Sequence, residues 1–265
     1  MNRPLFLSRA LEMVYKIRKG CRNDYYCPVC ESSLAHFNRF PDNYFEMLDK
    51  YGCIHSLFRM ETLNYLKYSC PVCGTSDRSR LYAVYLRDKL CSPGYMNKPI
   101  EFLEIAPDRP LSCWLKKVPA VHYRSMDLYM AGADDKADIV DMKIYGDNKF
   151  DAILCSHVLE HVEDDIKAMS ELHRILKTGG FAIVMVPILL ALDGDLYNSN
   201  RVSEGDRWKY YGQGDHVRMY SKKGFVSKLE QCGFRVAQFG VDHFGAEVFT
   251  KHGIHERSVL YVVEK

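Results

Sequence analysis

The chain has 265 residues, of which 47% are hydrophobic and 26% are charged, and its formal net charge at pH 7 is +2. This length suffices for one α/β domain and a smaller appendage. The balanced charge gives no general case for a nucleic-acid partner, and no apolar run approaches the roughly 20 residues that a transmembrane segment requires. The first residues lack the apolar core and small-residue cleavage site of a secretory signal, so a cytoplasmic protein is expected.

Residues 4–19 are predicted to form an amphipathic helix, because Leu7, Leu11 and Val14 recur near helical spacing with Arg and Lys between them. Such a helix suits a membrane surface or packing against the adjacent part of the chain, and we favour packing. We assign residues 1–20 to this element.

Two copies of the segment Cys-Pro-Val-Cys follow, one at Cys27 and Cys30 and the other at Cys70 and Cys73. Two residues between paired cysteines let both thiolates face one cation at about 2.3 Å. Two such pairs predict a closed tetrahedral site, in which Zn²⁺ is structural because no position is open for chemistry. A redox dithiol is the alternative for one pair, but the duplication of the motif counts against it.

The long separation between the two cysteine pairs leaves other ligands open, because Cys53, His36 and His55 lie between them. The six cysteines outside the pairs are scattered, which favours free thiols in a reducing compartment over a disulfide framework. A helix is expected near residues 77–90 and is broken after Cys91. We therefore predict a zinc-ribbon module with its connecting helix over residues 21–93.

From residue 94 to residue 265 the pattern changes to short apolar strands that alternate with helices. This alternation predicts a doubly wound, mostly parallel sheet of the α/β class. Gly179 and Gly180 are expected to make the tight turn from a helix into a strand. The predicted strands cover residues 100–105, 121–126, 138–140, 150–155, 181–186, 234–241 and 257–263, and the predicted helices cover residues 109–117, 164–177 and 222–232.

Acidic side chains follow three successive predicted strands, at the edge where an open α/β sheet binds its ligand. Glu104 ends the first strand, Asp127 follows the second, and Asp141 with Met142 follows the third. Asp127 would accept hydrogen bonds from two ribose hydroxyls, Asp141 would take an adenine amino group, and Met142 would pack on the ring. Each acid alone is more often a loop cap or a solvated residue, but their recurrence predicts a nucleoside-containing cofactor.

Two segments carry a family resemblance: residues 151–162 read Asp-Ala-Ile-Leu-Cys-Ser-His-Val-Leu-Glu-His-Val, and residues 171–180 end in Leu-Lys-Thr-Gly-Gly. They resemble the signature of class I S-adenosylmethionine-dependent methyltransferases. More narrowly, the chain resembles bacterial type 11-like methyltransferases that combine an N-terminal zinc ribbon, an arginine-rich helix, an Ile-Ala-Pro-acid motif and a late Gly-Gln-x-Asp-His-Val-Arg-x-Tyr motif. In this chain the arginine-rich helix starts at residues 77–80, the Ile-Ala-Pro-acid motif occupies residues 105–108, and the late motif occupies residues 212–220. The resemblance implies S-adenosylmethionine as the cofactor and a seven-stranded, Rossmann-like sheet.

The turn after the first strand departs from the broad superfamily. A glycine-rich turn is usual there, whereas this chain has Ala106, Pro107 and Asp108. The missing dinucleotide fingerprint argues against NAD. Within the narrower family the Ile-Ala-Pro motif is usual, so the resemblance places Ala106 and Pro107 at the cofactor. The amino-acid end of the cofactor would then be bound differently from the way a glycine-rich turn binds it.

Two histidines are candidates for a general base, because imidazole titrates near neutral pH. His157 follows the fourth strand, and contact with the cofactor or packing are its alternatives. His216 lies in the late motif, where Asp215 would orient it, while Arg218 and Tyr220 would hold an anionic acceptor. The same polar cluster equally suits a salt-bridged anchor for its loop.

Residues 188–214 fall where the resemblance implies a substrate lid. Trp208 and the neighbouring tyrosines and arginines suit stacking on a sugar or binding of a phosphorylated small molecule, and they equally suit loop packing. His161 is expected to be a structural residue at the start of a helix.

The favoured interpretation is a methyltransferase of a small-molecule or sugar acceptor, with surface-polysaccharide or secondary metabolism as the context that the resemblance implies. The first alternative is an RNA methyltransferase that binds its substrate through a basic zinc module. The low net charge and the absence of an Asn/Asp-Pro-Pro-Tyr motif count against it. A non-catalytic scaffold that docks other proteins is the second alternative, which the altered turn keeps open.

Overall fold

The structure, a computed structural model, describes residues 24–96 and 98–265. The predicted amphipathic helix at residues 4–19 lies outside the described residues. Within them, no helix combines the length and the apolar character that crossing a bilayer demands.

The N-terminal part is small and irregular. Strand β1 (Tyr25–Tyr26) pairs antiparallel with β2 (Ser33–Leu34), and helix α1 (Asp42–Lys50) follows. Helix α2 (Asp77–Leu90) begins where the Ser76 hydroxyl accepts the N–H of Ser79. Ten of the 14 residues of α2 are buried, so this helix lies inside the molecule rather than on its surface.

The rest of the chain builds the sheet and the helices that cover it. Its first half contains β3 (Ile100–Ile105), α3 (Arg109–Leu115), β4 (Val121–Asp127), β5 (Asp135–Lys136), β6 (Phe150–Ser156), α4 (Asp165–Ile175) and β7 (Leu176–Met185). Its second half contains β8 (Leu196–Tyr197), α5 (Glu204–Tyr211), β9 (Arg218–Met219), α6 (Lys222–Gln231), β10 (Arg235–Phe239), α7 (Val241–Phe244), α8 (Ala246–Lys251) and β11 (Leu260–Glu264).

The strand order in the main sheet is β10-β11-β7-β6-β3-β4-β5. The pairs among β3, β4, β5, β6 and β7 are parallel, and β11 is antiparallel to both of its neighbours. The predicted doubly wound, mostly parallel sheet of seven strands is confirmed. The chain winds outward from β3 to β5 and then returns to β6, so the switch point lies between β3 and β6. A ligand is expected at the carboxyl ends of these two strands.

Two local predictions are wrong. Residues 138–140 form a turn, in which Asp138 accepts the N–H of Val140 with its side chain and that of Asp141 with its carbonyl. These local hydrogen bonds compete with the pairing that a strand would need. The edge strand that pairs with β4 lies earlier in the chain, at β5. Gly179 and Gly180 lie inside β7 rather than before it, at a point where its pairing with β6 shifts register. A Cβ on Gly180 would stand 2.7 Å from the carbonyl oxygen of Asp151, so only glycine fits there.

One continuous hydrophobic core joins the N-terminal part to the sheet, and it includes Cys27, Phe37 and half of the residues of α2. Arg80 of α2 lies at this junction, fully buried and stacked 3.8 Å from the ring centre of Phe37. Its guanidinium donates hydrogen bonds to five carbonyl groups, those of Lys67, Tyr68, Thr75, His252 and Gly253. Arg80 thus joins the N-terminal part, α2 and the segment after α8.

Candidate functional site

A cavity of about 230 Å³ lies at the carboxyl ends of β3 and β6, at the switch point of the sheet. Its sheet side is lined by Glu104, Ala106 and Ser156. Its other side comes from the N-terminal part, where Gly74 follows the second cysteine pair and Arg78 and Tyr82 belong to α2. The cavity is therefore enclosed between the sheet and the cysteine-rich segment.

Glu104 is buried and organises the turn after β3. Its carboxylate accepts hydrogen bonds from the Tyr123 hydroxyl at 2.6 Å, the Ser112 hydroxyl at 2.7 Å and the Asp108 N–H at 3.0 Å. Burial raises the pKa of Glu104, and these three donors oppose that effect. The bonds hold the carboxylate in place, so its main role in the structure is to shape the loop that carries Ala106 and Pro107.

Ala106 and His157 follow the two strands of the switch point and share an unusual backbone conformation. Their φ angles are 52° and 56°, in the left-handed region that favours glycine. Ala106 therefore adopts the backbone that a glycine-rich turn would use, although it carries a Cβ. An L-residue in this conformation costs roughly 1–2 kcal/mol, so the turn is held by its surroundings.

Arg78 lines the cavity beside Asp108. Among the described residues, no side chain or carbonyl forms a hydrogen bond or an ion pair with its guanidinium. Although burial opposes its charge, the fields of Tyr68, Tyr82 and Asp77 keep the pKa of Arg78 above its usual value. Burial raises the pKa of Asp108, which the charge of Arg78 partly offsets. The lining of the cavity thus combines one guanidinium, that of Arg78, with the carboxyl groups of Glu104 and Asp108.

Asp127 lies at the same edge of the sheet, because β3 and β4 pair in register up to Ile105 and Met126. Its Oδ1 accepts the N–H groups of Tyr129 and Met130, both at 2.7 Å. The other oxygen, Oδ2, has no hydrogen bond within the described part of the chain. Asp127 therefore lies at the carboxyl end of β4, at the edge of the sheet where the sequence predicted it, although it is not among the residues that line the cavity.

Asp141 and Met142 do not reach this cavity. Asp141 is exposed, lies 3.1 Å from Lys143 Nζ and lines a separate depression beside α4. Met142 is fully buried in the hydrophobic core, and only its backbone contacts Glu171 and Arg174. The expected adenine contacts depended on a strand at residues 138–140, and that strand is absent from the sheet.

A cluster of ionisable side chains follows β6. Glu160 is completely buried, and its Oε1 lies 3.3 Å from His157 Nδ1, 3.9 Å from His161 Nε2 and 4.0 Å from His216 Nε2. His161 Nδ1 lies 3.3 Å from Asp215 Oδ2, and the rings of His161 and His216 meet edge to face. The structure thus brings together all three candidate catalytic residues, and it adds Glu160 and His161 to them.

Burial and the nearby charge of Arg78 lower the pKa of His157, so its imidazole is neutral at neutral pH. Burial also lowers the pKa of His216. Although burial opposes ionisation, the facing histidines hold the pKa of Glu160 below its usual value. The cluster therefore contains a carboxylate at Glu160 and neutral imidazoles at His157 and His216, which are proton acceptors and metal ligands.

A comparison with known families decides the class of this fold. Residues 82–238, more than half of the chain, match the family described as "Methyltransferase domain". The chain belongs to this methyltransferase family.

Several solved structures share part of this arrangement. One is an S-adenosylmethionine-dependent methyltransferase from Archaeoglobus fulgidus, with 15% identity, a TM-score of 0.45, and coverage of 72% of this chain and 95% of that one. Another is a putative methyltransferase from Bacillus halodurans, with 16% identity, a TM-score of 0.42, and coverage of 66% and 96%. A third is the 1,6-didemethyltoxoflavin-N1-methyltransferase from Burkholderia thailandensis, with 11% identity, a TM-score of 0.41, and coverage of 65% and 73%. No curated protein matches this chain.

The late motif of this methyltransferase has two parts with different environments. Asp215 contacts His161 rather than His216, whose Nδ1 instead lies 3.3 Å from the carbonyl oxygen of Tyr211. Arg218 and Tyr220 are buried, and both bond to Asp165 Oδ2 at 2.7 Å. These two residues anchor the loop to α4, so they are not available to an anionic acceptor.

Trp208 is also absent from the cavity. Its ring stacks on Tyr51 at 5.9 Å and meets Tyr44 edge to face at 5.5 Å. Helix α5 of the methyltransferase therefore packs against α1 of the N-terminal part through this residue. We do not retain Trp208 as a stacking surface for a sugar.

The four predicted cysteine ligands come together as a cluster. Cys27 Sγ lies 3.8 Å from Cys73 Sγ, and Cys30 Sγ lies 3.8 Å from Cys70 Sγ. A tetrahedral Zn²⁺ site with Zn–S bonds of about 2.3 Å has sulfur atoms about 3.8 Å apart, so the donor set fits zinc. Two of the alternative ligands have other partners, since Cys53 donates to the His55 carbonyl and His55 Nε2 contacts the Tyr210 carbonyl.

Sequence reasoning missed the contribution of α2 to the cavity. Arg78, Ser79 and Tyr82 line it, yet they belong to the helix that was assigned to the zinc-ribbon module. The sequence feature that could have indicated this is the Asp-Arg-Ser-Arg segment at residues 77–80, shortly after the second cysteine pair. It puts arginine side chains in the first turn of a predicted helix.

Proposed function

We propose that this chain is an S-adenosylmethionine-dependent methyltransferase that acts on a hydroxyl group of a small-molecule or sugar acceptor. The observation that carries the proposal is the presence of both Arg78 and Asp108 in the lining of a cavity at the switch point. The cofactor ends in an amino acid, whose carboxylate and ammonium groups match a guanidinium and a carboxylate.

Three residues hold the cofactor in this proposal. Arg78 binds the carboxylate of its methionine part, Asp108 binds the ammonium group, and Asp127 accepts hydrogen bonds from the ribose hydroxyls through Oδ2. The left-handed turn at Ala106 lets the backbone approach the ligand between them. When bound, the cofactor supplies a methyl group on a sulfonium centre, which is activated for in-line displacement.

The residues after β6 serve the acceptor. His157 lies next to Ser156, which lines the cavity, and its lowered pKa keeps the imidazole ready to accept a proton. His216 and Asp215 are positioning residues, because His216 faces Glu160 and Asp215 contacts His161. A polar, partly exposed cluster of this kind suits an acceptor that bears hydroxyl groups.

We also propose that the four cysteines bind a structural Zn²⁺. The site is closed by four thiolates, so its role is to hold the wall of the cavity that contains Gly74 and Ser76.

A labelled-methyl assay tests the proposed activity. Purified protein and S-adenosylmethionine with a radioactive methyl group are added to a fractionated extract of the source cells. We expect label in the small-molecule or glycan fraction with the wild type and with D88A, a control for an exposed acid on α2, and a loss of at least tenfold with D127A. Label that appears only in RNA, and that ribonuclease releases, would contradict a small-molecule or sugar acceptor.

A further inference from the structure

Glu160 is a buried charge without the partners that such a group requires. Its side chain is completely buried, yet neither carboxylate oxygen has a hydrogen-bond donor in suitable geometry within the described ranges 24–96 and 98–265. The nearest of the three facing histidine nitrogens, His157 Nδ1, lies 3.3 Å away without that geometry. A buried carboxylate normally has donors or a metal ion, because leaving it unpaired costs several kcal/mol.

The two histidines that face Glu160 are oriented by acceptors behind them. His161 has Nδ1 against the Asp215 carboxylate, and His216 has Nδ1 against the Tyr211 carbonyl, both at 3.3 Å. These contacts leave both Nε2 atoms directed at the same oxygen of Glu160, at 3.9 and 4.0 Å. A histidine whose second nitrogen is held by a carboxylate or carbonyl is the usual arrangement of a metal ligand.

We infer that Glu160, His161 and His216 form a site for a divalent transition-metal ion, separate from the four-cysteine site. One donor atom from each of the three residues lies within 4.8 Å of the others, so small side-chain shifts bring them to the roughly 3.0–3.4 Å that bonds of about 2.1 Å require. One carboxylate and two imidazoles favour Zn²⁺, Mn²⁺, Fe²⁺ or Co²⁺ over Ca²⁺ or Mg²⁺.

The proposed site is open on one side, as catalytic metal sites are. Glu160 and His216 are buried, but the side chain of His161 is 30% exposed and that of Asp215 is 65% exposed. The open position faces the region where the proposed function, on which this step rests, places the acceptor. A metal ion there would bind an acceptor oxygen and lower the pKa of its hydroxyl group.

Binding of Mn²⁺ to the zinc-loaded protein tests the inference. Mn²⁺ is suitable because it prefers nitrogen and oxygen ligands and does not displace Zn²⁺ from thiolates. Electron paramagnetic resonance measures the loss of the free-ion signal. We expect one Mn²⁺ per chain in the wild type, a loss of affinity of at least tenfold in H161A and H216A, and a loss of about tenfold in D215N, where only the orienting carboxylate changes.

The control is H122A, because His122 lies 3.0 Å from Glu101 in an exposed histidine–carboxylate pair elsewhere on the molecule. It should bind Mn²⁺ as the wild type does. D215N changes a surface side chain, so its result holds even if a buried variant misfolds. Absence of Mn²⁺ binding by the wild type, or binding by both H161A and D215N with the affinity of the wild type, would overturn the inference. Titration with S-adenosylhomocysteine without Mn²⁺ reports separately on the proposed function.

Discussion

At the scale of single residues, the turn after β3 stores conformational strain in Ala106. Its φ of 52° lies in the left-handed region, where a Cβ costs roughly 1–2 kcal/mol. Glycine removes this cost, although it also makes the unfolded chain more flexible. We expect A106G to raise the free energy of unfolding by about 0.5–1 kcal/mol, measured by urea denaturation.

The matched control is A133G, in a loop where the alanine has no positive φ. There glycine brings only the entropy cost, so A133G should lower the free energy of unfolding by up to about 1 kcal/mol. Equal effects of the two substitutions would show that the backbone at Ala106 is not strained.

Residue type and position in the sequence were enough to place Asp127 and His157, because a residue directly after a parallel strand must lie at the carboxyl edge of the sheet. They were not enough for Met142 and Arg218. Both are buried, and burial depends on what other parts of the chain pack against a residue. Arg218 was expected to meet a ligand, whereas it meets Asp165, which is 53 positions earlier in the sequence.

At the scale of secondary-structure elements, α2 depends on the buried guanidinium of Arg80. Lysine in its place can donate at most three hydrogen bonds, whereas Arg80 bonds to five carbonyl groups. Each buried carbonyl left without a donor costs about 1–3 kcal/mol. We expect R80K to lower the free energy of unfolding by roughly 3 kcal/mol in chemical denaturation.

R39K is the control for that substitution, because Arg39 pairs with Asp42 in an exposed position. A surface ion pair of this kind contributes about 0–1 kcal/mol, so R39K should change little. If R80K were as stable as R39K, the buried guanidinium would not be joining the N-terminal part to the sheet.

The cysteine-rich segment and the cofactor cavity should be coupled, since Gly74 and Ser76 line the cavity within a few residues of Cys70 and Cys73. We expect C27S, or removal of zinc with a strong chelator, to weaken binding of S-adenosylhomocysteine at least tenfold and to lower the melting temperature. C91S changes an exposed cysteine outside the cluster and should leave both unchanged. Full affinity in zinc-free protein would show that the segment does not support the cavity.

Elements were predictable from the sequence where apolar periodicity dominated. Strands β3, β6 and β11 and helices α4 and α6 lie where the pattern indicated. The failure at residues 138–140 arose because the side chain of Asp138 bonds to nearby backbone, which apolar periodicity does not report. The two-residue strands β8 and β9 are too short to leave any periodic pattern.

At the scale of the whole molecule, the N-terminal part and the sheet share one core and one cavity. The family match begins at residue 82, inside α2, while the predicted boundary between the two domains at residues 93 and 94 stays a prediction. The cavity at the switch point is lined by both parts of the chain: the β3 segment supplies Glu104 and Ala106, and α2 supplies Arg78. Sequence reasoning assigned these residues to separate units and therefore could not foresee that they meet.

We propose that the cavity between the sheet and α2 binds S-adenosylmethionine. Isothermal titration calorimetry with S-adenosylhomocysteine measures this binding in the wild type, D127A, R78Q and the control D88A. We predict micromolar binding of one ligand per chain by the wild type and D88A, and affinities at least tenfold weaker for D127A and R78Q. Absence of binding by the folded wild type, or unchanged affinity in both D127A and R78Q, would contradict the account.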